Sequence, residues 1–408
     1  MVREDQLVAI RAQSVYFAVL CVGFVPLQST GSSCTVLIPR EGRPDEPRVA
    51  GSPETTRRLV GKGCVVLVES GAGQASGFSD QDYRQAGAEL VEDGWGHCHV
   101  ALCVGVPDAG RLETMATGSI VIGLLAPYGN QALVNQLNRR KLSSLSLELL
   151  PRISRAQAMD ALSSQANIAG YKAVLLAAAA LDRYFPMLMT AAGTVQPARV
   201  LILGAGVAGL QAVATARRLG AVVHVSDIRS AVKEQVESLG GRFIGPPRVA
   251  ERPAEANGYA KQASEDFLAA QRQQLSDQLA LADVVICTAQ VPGRRAPRLI
   301  SEAMLDRMRP GAVVVDLAVN DGGNCAATVP GQTINRKGVR LIGASNLPCT
   351  VPYHASSLYG RNLAALLEQY LQDGVLQLDP RDPLLKDCLL THNGHCHRDD
   401  VVNASESV

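Results

Sequence analysis

The sequence predicts an α/β protein built of two doubly wound domains with mostly parallel sheets, joined by long helices around a cleft. Three observations predict this class. Short apolar runs alternate with amphipathic helical stretches from Cys34 onward, the pattern of repeated βαβ units. The apolar run Val200–Leu203 passes directly into Gly204-x-Gly206-x-x-Gly209 and then into a helical pattern through Arg218, giving strand, tight turn and helix. A second apolar run, Val222–Ser226, ends in Asp227, about 20 residues beyond the glycines. Together these make both domains Rossmann-like.

Composition sets the bounds. A chain of 408 residues has room for two or three domains, and 47% hydrophobic with 19% charged residues is ordinary for a globular α/β protein. A net charge of +1 provides no field to recruit nucleic acid or an anionic membrane. The ten cysteines are scattered without a C-x-x-C pair, which reads as reduced thiols in a cytosolic protein. The apolar run Ser14–Leu27 is shorter than the roughly 20 residues that span a bilayer. Glu4 and Asp5 spoil the positive segment a signal peptide needs, so residues 1–34 are read as an extension or a misassigned start.

Taken in order, Cys34–Pro39 reads as the first strand. Ser52 caps a helix that has Pro53 at its first position and Glu54 at its positive end. Val65–Glu69 is the next strand, and Ser70–Gly73 is a plain turn. Val100–Val104, Ser119–Leu125 and Leu142–Leu147 follow as strands, with a helix over Asn130–Asn138. The polar loop Pro151–Gln165 enters a helix reaching about Arg183, between two α/β blocks where a cleft belongs. In the second block Asp283–Thr288, Ala312–Asp316 and Leu341–Gly343 add strands, and Arg248–Gln278 reads as a mobile loop and an exposed helix. Ser356–Leu371 is a helix with apolar positions at Leu358, Leu363, Leu366 and Leu367, expected to pack back on the first block. The first domain is then discontinuous, residues 35–163 plus 346–375, around a nucleotide-binding domain of residues 164–345. From Asp373 no pattern is sustained, and residues 376–408 are read as a loosely ordered tail.

The glycine turn carries the clearest chemistry. Gly204 permits the sharp turn, Gly206 lets a pyrophosphate approach the backbone, and Gly209 lets helix and strand pack closely. Val207 and Ala208 complete the helix N-terminus, whose free N–H groups and dipole favour an anion. Asp227, followed by Ile228 and Arg229, would accept the ribose hydroxyls of an adenosine. A carboxylate there repels a 2′-phosphate, which favours NAD over NADP. Arg229 reads as a solvated surface charge that could blunt that preference. No metal is expected: His97-Cys98-His99 and the His392, His395, Cys396 and His397 group lack zinc-site spacing.

The stretch ELLPRISRAQAMDALSSQANIAGYKAV beginning at Glu148, with TAAGTVQPARVLILGAGVAGLQAVATARRLGA, SDIR and VKEQVESLGGRF, closely resembles the NAD(H)-binding components of proton-translocating NAD(P) transhydrogenases. The resemblance continues through Pro292–Leu299, Val315–Cys325 and Ser357–Leu367. It covers most of residues 35–395, leaves out the first 34 and is poor over 93–130. It implies a homodimeric module that exchanges a hydride between NADH and NADP held on a partner subunit, while a membrane proton-channel subunit couples the exchange to proton movement. The module would be cytoplasmic, held at the inner face of the membrane through those partners, which are expected to be separate chains. On this resemblance Arg152, Gln157, Asp160 and Ser163 form the nicotinamide-side loop: Arg152 binds pyrophosphate or carboxamide and is oriented by Asp160, and Gln157 bridges riboses. Tyr259 matches the loop that closes over the nucleotide.

Alanine dehydrogenases share the fold and give the alternative reading. They bind an amino or oxo acid with an arginine, a lysine and a histidine in the first domain and an aspartate near the Gly-Gly loop. Here Arg48 can match the arginine, but Cys103 stands at the lysine position, Ile120–Leu125 contains no histidine, and Asn320 replaces the aspartate. Imine reduction needs a proton donor and a carboxylate clamp, which this set supplies incompletely. A further alternative is an NAD-binding sensor without turnover.

Overall fold

Why each strand forms is plainest in the parallel core, where continuous apolar runs such as RVLIL, VVIC and VVVD bury both faces under flanking helices. The computed structural model describes residues 33–247, 265–291, 293–379 and 381–404. The first sheet contains β1 (Thr35–Ile38), β2 (Val65–Glu69), β3 (Glu89–Val91), β4 (Val100–Leu102), β5 (Ile120–Gly123) and β6 (Ser143–Ser146). These pair in parallel in the order β3-β2-β1-β4-β5-β6. The second contains β7 (Arg199–Leu203), β8 (Val222–Ser226), β9 (Arg242–Ile244), β10 (Val284–Cys287), β11 (Val313–Asp316), β12 (Thr333–Arg336) and β13 (Val339–Gly343). Its order is β9-β8-β7-β10-β11-β13-β12, with only β12 antiparallel. Both sheets thus share the doubly wound order in which the first strand lies central and the chain reverses direction beside it. The α/β class expected from the sequence is the class observed, and residues 93–130 contribute β4 and β5 in regular register.

A helix over Ala161–Ala180 connects the two sheets. Its first residue, Ala161, belongs to the first core, and Ala173, Val174 and Ala177 belong to the second. It packs along the helix Val207–Arg218, and a Cβ added to Gly170 would lie 2.1 Å from the Ala208 carbonyl oxygen. The helix Pro352–Glu368 returns to the first core, where Tyr359, Leu363, Leu366 and Leu367 are buried. Leu358, expected inside, is only partly buried; Tyr359 takes the core position, its hydroxyl donating to the Cys103 carbonyl at 2.8 Å.

The loosely ordered tail expected after Asp373 is corrected by the structure. Leu389–His392 forms β14, antiparallel to β6, and His395–Cys396 forms β15 beside it. The reason lies in β6 itself, whose sequence SSLS is entirely buried. Its hydroxyls need partners that apolar neighbours cannot give. Ser144 meets the Thr391 hydroxyl at 2.7 Å and Ser143 meets His392 Nδ1 at 2.9 Å. Leu384, Leu385 and Cys388 join the first core, Leu390 joins its other face, and Asp382 pairs with Arg155 at 2.7 Å. Truncating the fully buried Leu390 with Leu390→Ala is therefore expected to cost about 2–5 kcal/mol in a urea melt. A loss near zero would mean that this segment does not belong to the core.

Candidate functional site

The glycine turn sits at the carboxyl edge of β7, the edge where doubly wound sheets bind ligands. Gly204 has φ +101°, and a Cβ there would approach Thr288 Oγ1 to 2.9 Å. At Gly209 a Cβ would lie 1.9 Å from the Gly204 carbonyl oxygen, so any side chain would break the turn. By contrast nothing lies within 4 Å of a Cβ on Gly206, which leaves open space at the N-terminus of the helix Val207–Arg218. That cradle fits a pyrophosphate taken up by helix N–H groups. Val207 is exposed at this opening, whereas Ala208 is turned toward Gly170. Thr288 and Ala289 buttress the turn and are fixed in turn by the buried Asn324: its Oδ1 accepts from Ala289 N at 3.0 Å, and its Nδ2 donates to Ala289 O and Pro297 O at 2.8 Å. Asn324 did not stand out in the sequence; the Gly-Gly pair before it, both with positive φ, was the available signal.

Asp227 lies beside the turn. Its carboxylate accepts from the Ala205 N–H at 2.7 Å and from Arg229 through the backbone N at 2.9 Å, Nε at 3.0 Å and Nη2 at 2.9 Å. Burial pushes this carboxyl up, but the Arg229 and Ala205 hydrogen bonds and the Arg229 charge outweigh it and hold it below its ordinary value. Arg229 is therefore not the free surface charge expected from the sequence; it covers the carboxylate while its own side chain stays half exposed. Ile228 between them is exposed.

On the loop before the connecting helix, Arg152 and Gln157 are exposed and make no side-chain hydrogen bond among the described residues. The expected orientation of Arg152 by Asp160 is corrected. The Asp160 carboxylate instead accepts from the Ser163 N–H at 2.9 Å and Oγ at 2.6 Å, which caps the helix Ala161–Ala180. A short polar residue preceding a helix satisfies the orphan N–H groups of its first turn, and here that demand wins over pairing with the arginine. Ten residues beyond Asp160, Gly170 touches Ala208, so the capping residue lies about 15 Å along the helix axis from that contact. Tyr259 lies outside the described residues.

Deeper in the first domain Arg48 is buried, and its guanidinium forks onto Glu46, Nε to Oε1 at 2.7 Å and Nη2 to Oε2 at 2.6 Å. Nη1 donates to Gln165 Oε1 at 2.9 Å. Burial pushes the Glu46 carboxyl up, but the hydrogen bonds and charge of Arg48 prevail and hold it below the ordinary range.

The alanine dehydrogenase/PNT N-terminal domain matches residues 37–169, and the C-terminal domain of the same name matches 173–399. The chain belongs to the alanine dehydrogenase/PNT family. Within it the likeness to transhydrogenases is the stronger. The chain is 45% identical over 345 residues to an NAD(P) transhydrogenase subunit alpha protein of Rhodospirillum rubrum, covering 82% of this chain and 90% of that protein. It matches the structure of transhydrogenase from Sinorhizobium meliloti with a TM-score of 0.81 at 44% identity, over 89% of this chain and 99% of the other. Alanine dehydrogenase of Bacillus subtilis is 26% identical over 369 residues, 88% of this chain and 91% of that protein.

Three positions bear on the alanine dehydrogenase alternative. Arg48, the candidate carboxylate clamp, is already neutralised by Glu46; Cys103 is buried, and Asn320 is exposed. Removing one partner of a buried ion pair leaves the other uncompensated, so Glu46→Gln is expected to cost about 3–5 kcal/mol of stability. The sign with pH follows from the depressed Glu46 value. Its contribution is complete above the unfolded value near 4.5 and is lost as pH falls through the lower folded one. Denaturant melts from pH 7 to pH 3 should show a steeper acid loss in the wild type than in Glu46→Gln, and parallel curves would refute the assignment.

Proposed function

We propose that this chain is the NAD(H)-binding component of a proton-translocating NAD(P) transhydrogenase. It passes a hydride between NADH and NADP+ held on a partner subunit, and a membrane subunit couples the exchange to proton translocation. The observation that carries this reading is the pairing of a complete dinucleotide cradle at Gly204–Gly209 with two unpartnered polar side chains, Arg152 and Gln157, on the loop before the connecting helix. When bound, NADH supplies the hydride. The protein's role is positioning, because transfer between two nicotinamide C4 atoms needs no acid or base.

In this reading the N–H groups of Val207 and Ala208 beside Gly206 receive the pyrophosphate, and Asp227 receives the ribose hydroxyls by exchanging hydrogen bonds now made by Arg229. The Asp227 carboxylate, held ionised beside the turn, would repel a 2′-phosphate, which supports NAD as the cofactor. Arg152 holds the pyrophosphate or carboxamide and Gln157 the riboses, while Asp160 and Ser163 fix the end of the loop by capping the helix. Tyr259 closes over the nucleotide.

The component works as a homodimer. The hairpin formed by Leu188–Thr190 and Gly193–Val195 carries Met189 at 76% exposure, with Met187 and Tyr184 beside it at 56% and 59%, an apolar surface that a second copy would cover. No helix among the described residues is long and apolar enough to cross a membrane. In the proposed reading the chain is held at the inner, cytoplasmic face of the membrane by its partner subunits.

Mixing the chain with a transhydrogenase NADP-binding component, NADH and an oxidised NADP analogue should give hydride transfer. Pyruvate- and ammonia-dependent NADH oxidation by the isolated chain would refute the reading, and NADH binding without transfer would make it a sensor. Arg152→Ala and Gln157→Ala should slow transfer by about tenfold or more with little change in NADH affinity. Asp227→Ala should instead weaken NADH binding by about tenfold, measured by fluorescence titration.

A further inference from the structure

The second sheet has an opposite edge, and charge gathers there. Arg199 begins β7 and Gly204 follows its end, so the two edges stand about 13 Å apart along the strand. At the Arg199 edge a crevice of about 260 Å³ opens between the segment before β7, the end of the helix Glu265–Leu281 and the turn before β11. Arg183, Arg199 and Arg309 line it, and Asp283 is the one carboxylate in its wall.

That carboxylate is already shared. Its Oδ1 accepts from Arg183 Nη1 at 2.7 Å and its Oδ2 from the Arg199 backbone N–H at 2.9 Å. The Arg199 guanidinium donates to Gln278 Oε1 at 2.6 Å, a neutral acceptor, and Arg309 has no ion pair among the described residues. Arg242 adds a further cation. It pairs in register with His224, which pairs with Leu201, so Arg242, His224 and Arg199 share one sheet face. Burial, followed by the charges of Arg242 and Arg309, lowers the Arg199 pKa from its ordinary value. His224 is nine-tenths buried with its Nδ1 unpartnered, and burial together with Arg199 and Arg242 pushes it down to about 4. Like charges held this close destabilise one another until an anion offsets them.

We propose that this crevice binds a small phosphate-bearing dianion, at a site separate from the glycine turn. Three guanidiniums against one carboxylate leave an excess of two positive charges, which a phosphate dianion matches and a single carboxylate does not. Planar guanidinium forks suit phosphate oxygens. The volume equals that of roughly eight or nine waters, enough for a phosphate with a small substituent and too little for a dinucleotide. Arg183 and Gln196 stand on either side of the exposed hairpin, so the bound anion clamps its base.

Inorganic phosphate is the probe, added to the full chain with and without saturating NADH and compared with chloride at equal ionic strength. Phosphate should bind saturably by calorimetry and raise the melting temperature in both cases. Arg183→Gln and Arg309→Gln, both at exposed positions where folding tolerates change, should each weaken phosphate roughly fivefold and leave NADH affinity unchanged. A phosphate effect abolished by NADH, equalled by chloride, or unaltered in both variants would overturn the site.

Discussion

One close approach governs the arrangement of this protein. The helices Ala161–Ala180 and Val207–Arg218 touch where Gly170 meets the Ala208 carbonyl oxygen, and a single methyl group at Gly170 would lie 2.1 Å from that oxygen. Because the contact is backbone on side-chain-free backbone, the connecting helix can serve both cores: Ala161 at one end belongs to the first, and Ala173, Val174 and Ala177 to the second. A helix of 20 residues is about 30 Å long and bends little, so it fixes the Asp160 cap with respect to the glycine turn. The two family domains, which end at residue 169 and begin at 173, meet inside this helix at that contact. Small residues such as Gly170, Ala173 and Ala177 stand where the helix is buried, while Leu162, Asn167 and Tyr171 remain exposed.

A second constraint tightens the same junction from the first domain. Arg48 ties Glu46 to Gln165 on the connecting helix, and Cys349 Sγ reaches Glu46 Oε1 at 3.2 Å, so three distant segments converge on one buried pair. Glu41, only five residues earlier, shows what the arginine does. Among the described residues its carboxylate accepts only backbone N–H groups, from Val104 at 2.7 Å and Gly105 at 3.3 Å, and burial pushes it up to about 7. Glu46 is buried too, yet lies below the ordinary range because a guanidinium is forked onto it. Burial of a charge is tolerated where the partner is bidentate and its remaining donor is also satisfied, as Arg48 is by Gln165.

What could be read from the sequence was what local chemistry determines. β7, β10 and β11 announce themselves as apolar runs, and Gly204, Gly206, Gly209 and Asp227 fall within one βαβ unit of 29 residues from Arg199 to Asp227. β6 lay within the expected strand Leu142–Leu147, but β14 was harder for a physical reason: LLTH makes sense as a strand only when its Thr391 hydroxyl meets Ser144 of β6 across 247 residues of sequence. β12, TINR, lies at a sheet edge and has no apolar alternation to betray it. In the site, the misjudged contact was Asp160 to Arg152, since the demand of a helix N-terminus competes locally with any distant arginine. The pairs Arg155 with Asp382 and Arg48 with Gln165 join residues 227 and 117 positions apart, and neither leaves a trace in local pattern.

The contrast between the rigid turn and the free loop side chains bears on the chemistry. Gly204 and Gly209 are braced by Thr288 and Ala289, and Asn324 holds Ala289 in place, so little order remains to be gained there on binding. Arg152 and Gln157 face solvent instead, and ordering two such side chains costs up to about 1.5–2 kcal/mol each. An enzyme that must enclose a small substrate and deliver a proton would gain by fixing those groups beforehand. One that presents half of a reaction to another protein has the opposite need: it anchors the carrier at the turn and leaves the reacting side accessible until the second carrier arrives. Under the transhydrogenase reading, the braced cradle and the unpaired loop then belong to one design, in which binding energy is concentrated at the adenosine end and geometry at the nicotinamide end is completed by the partner.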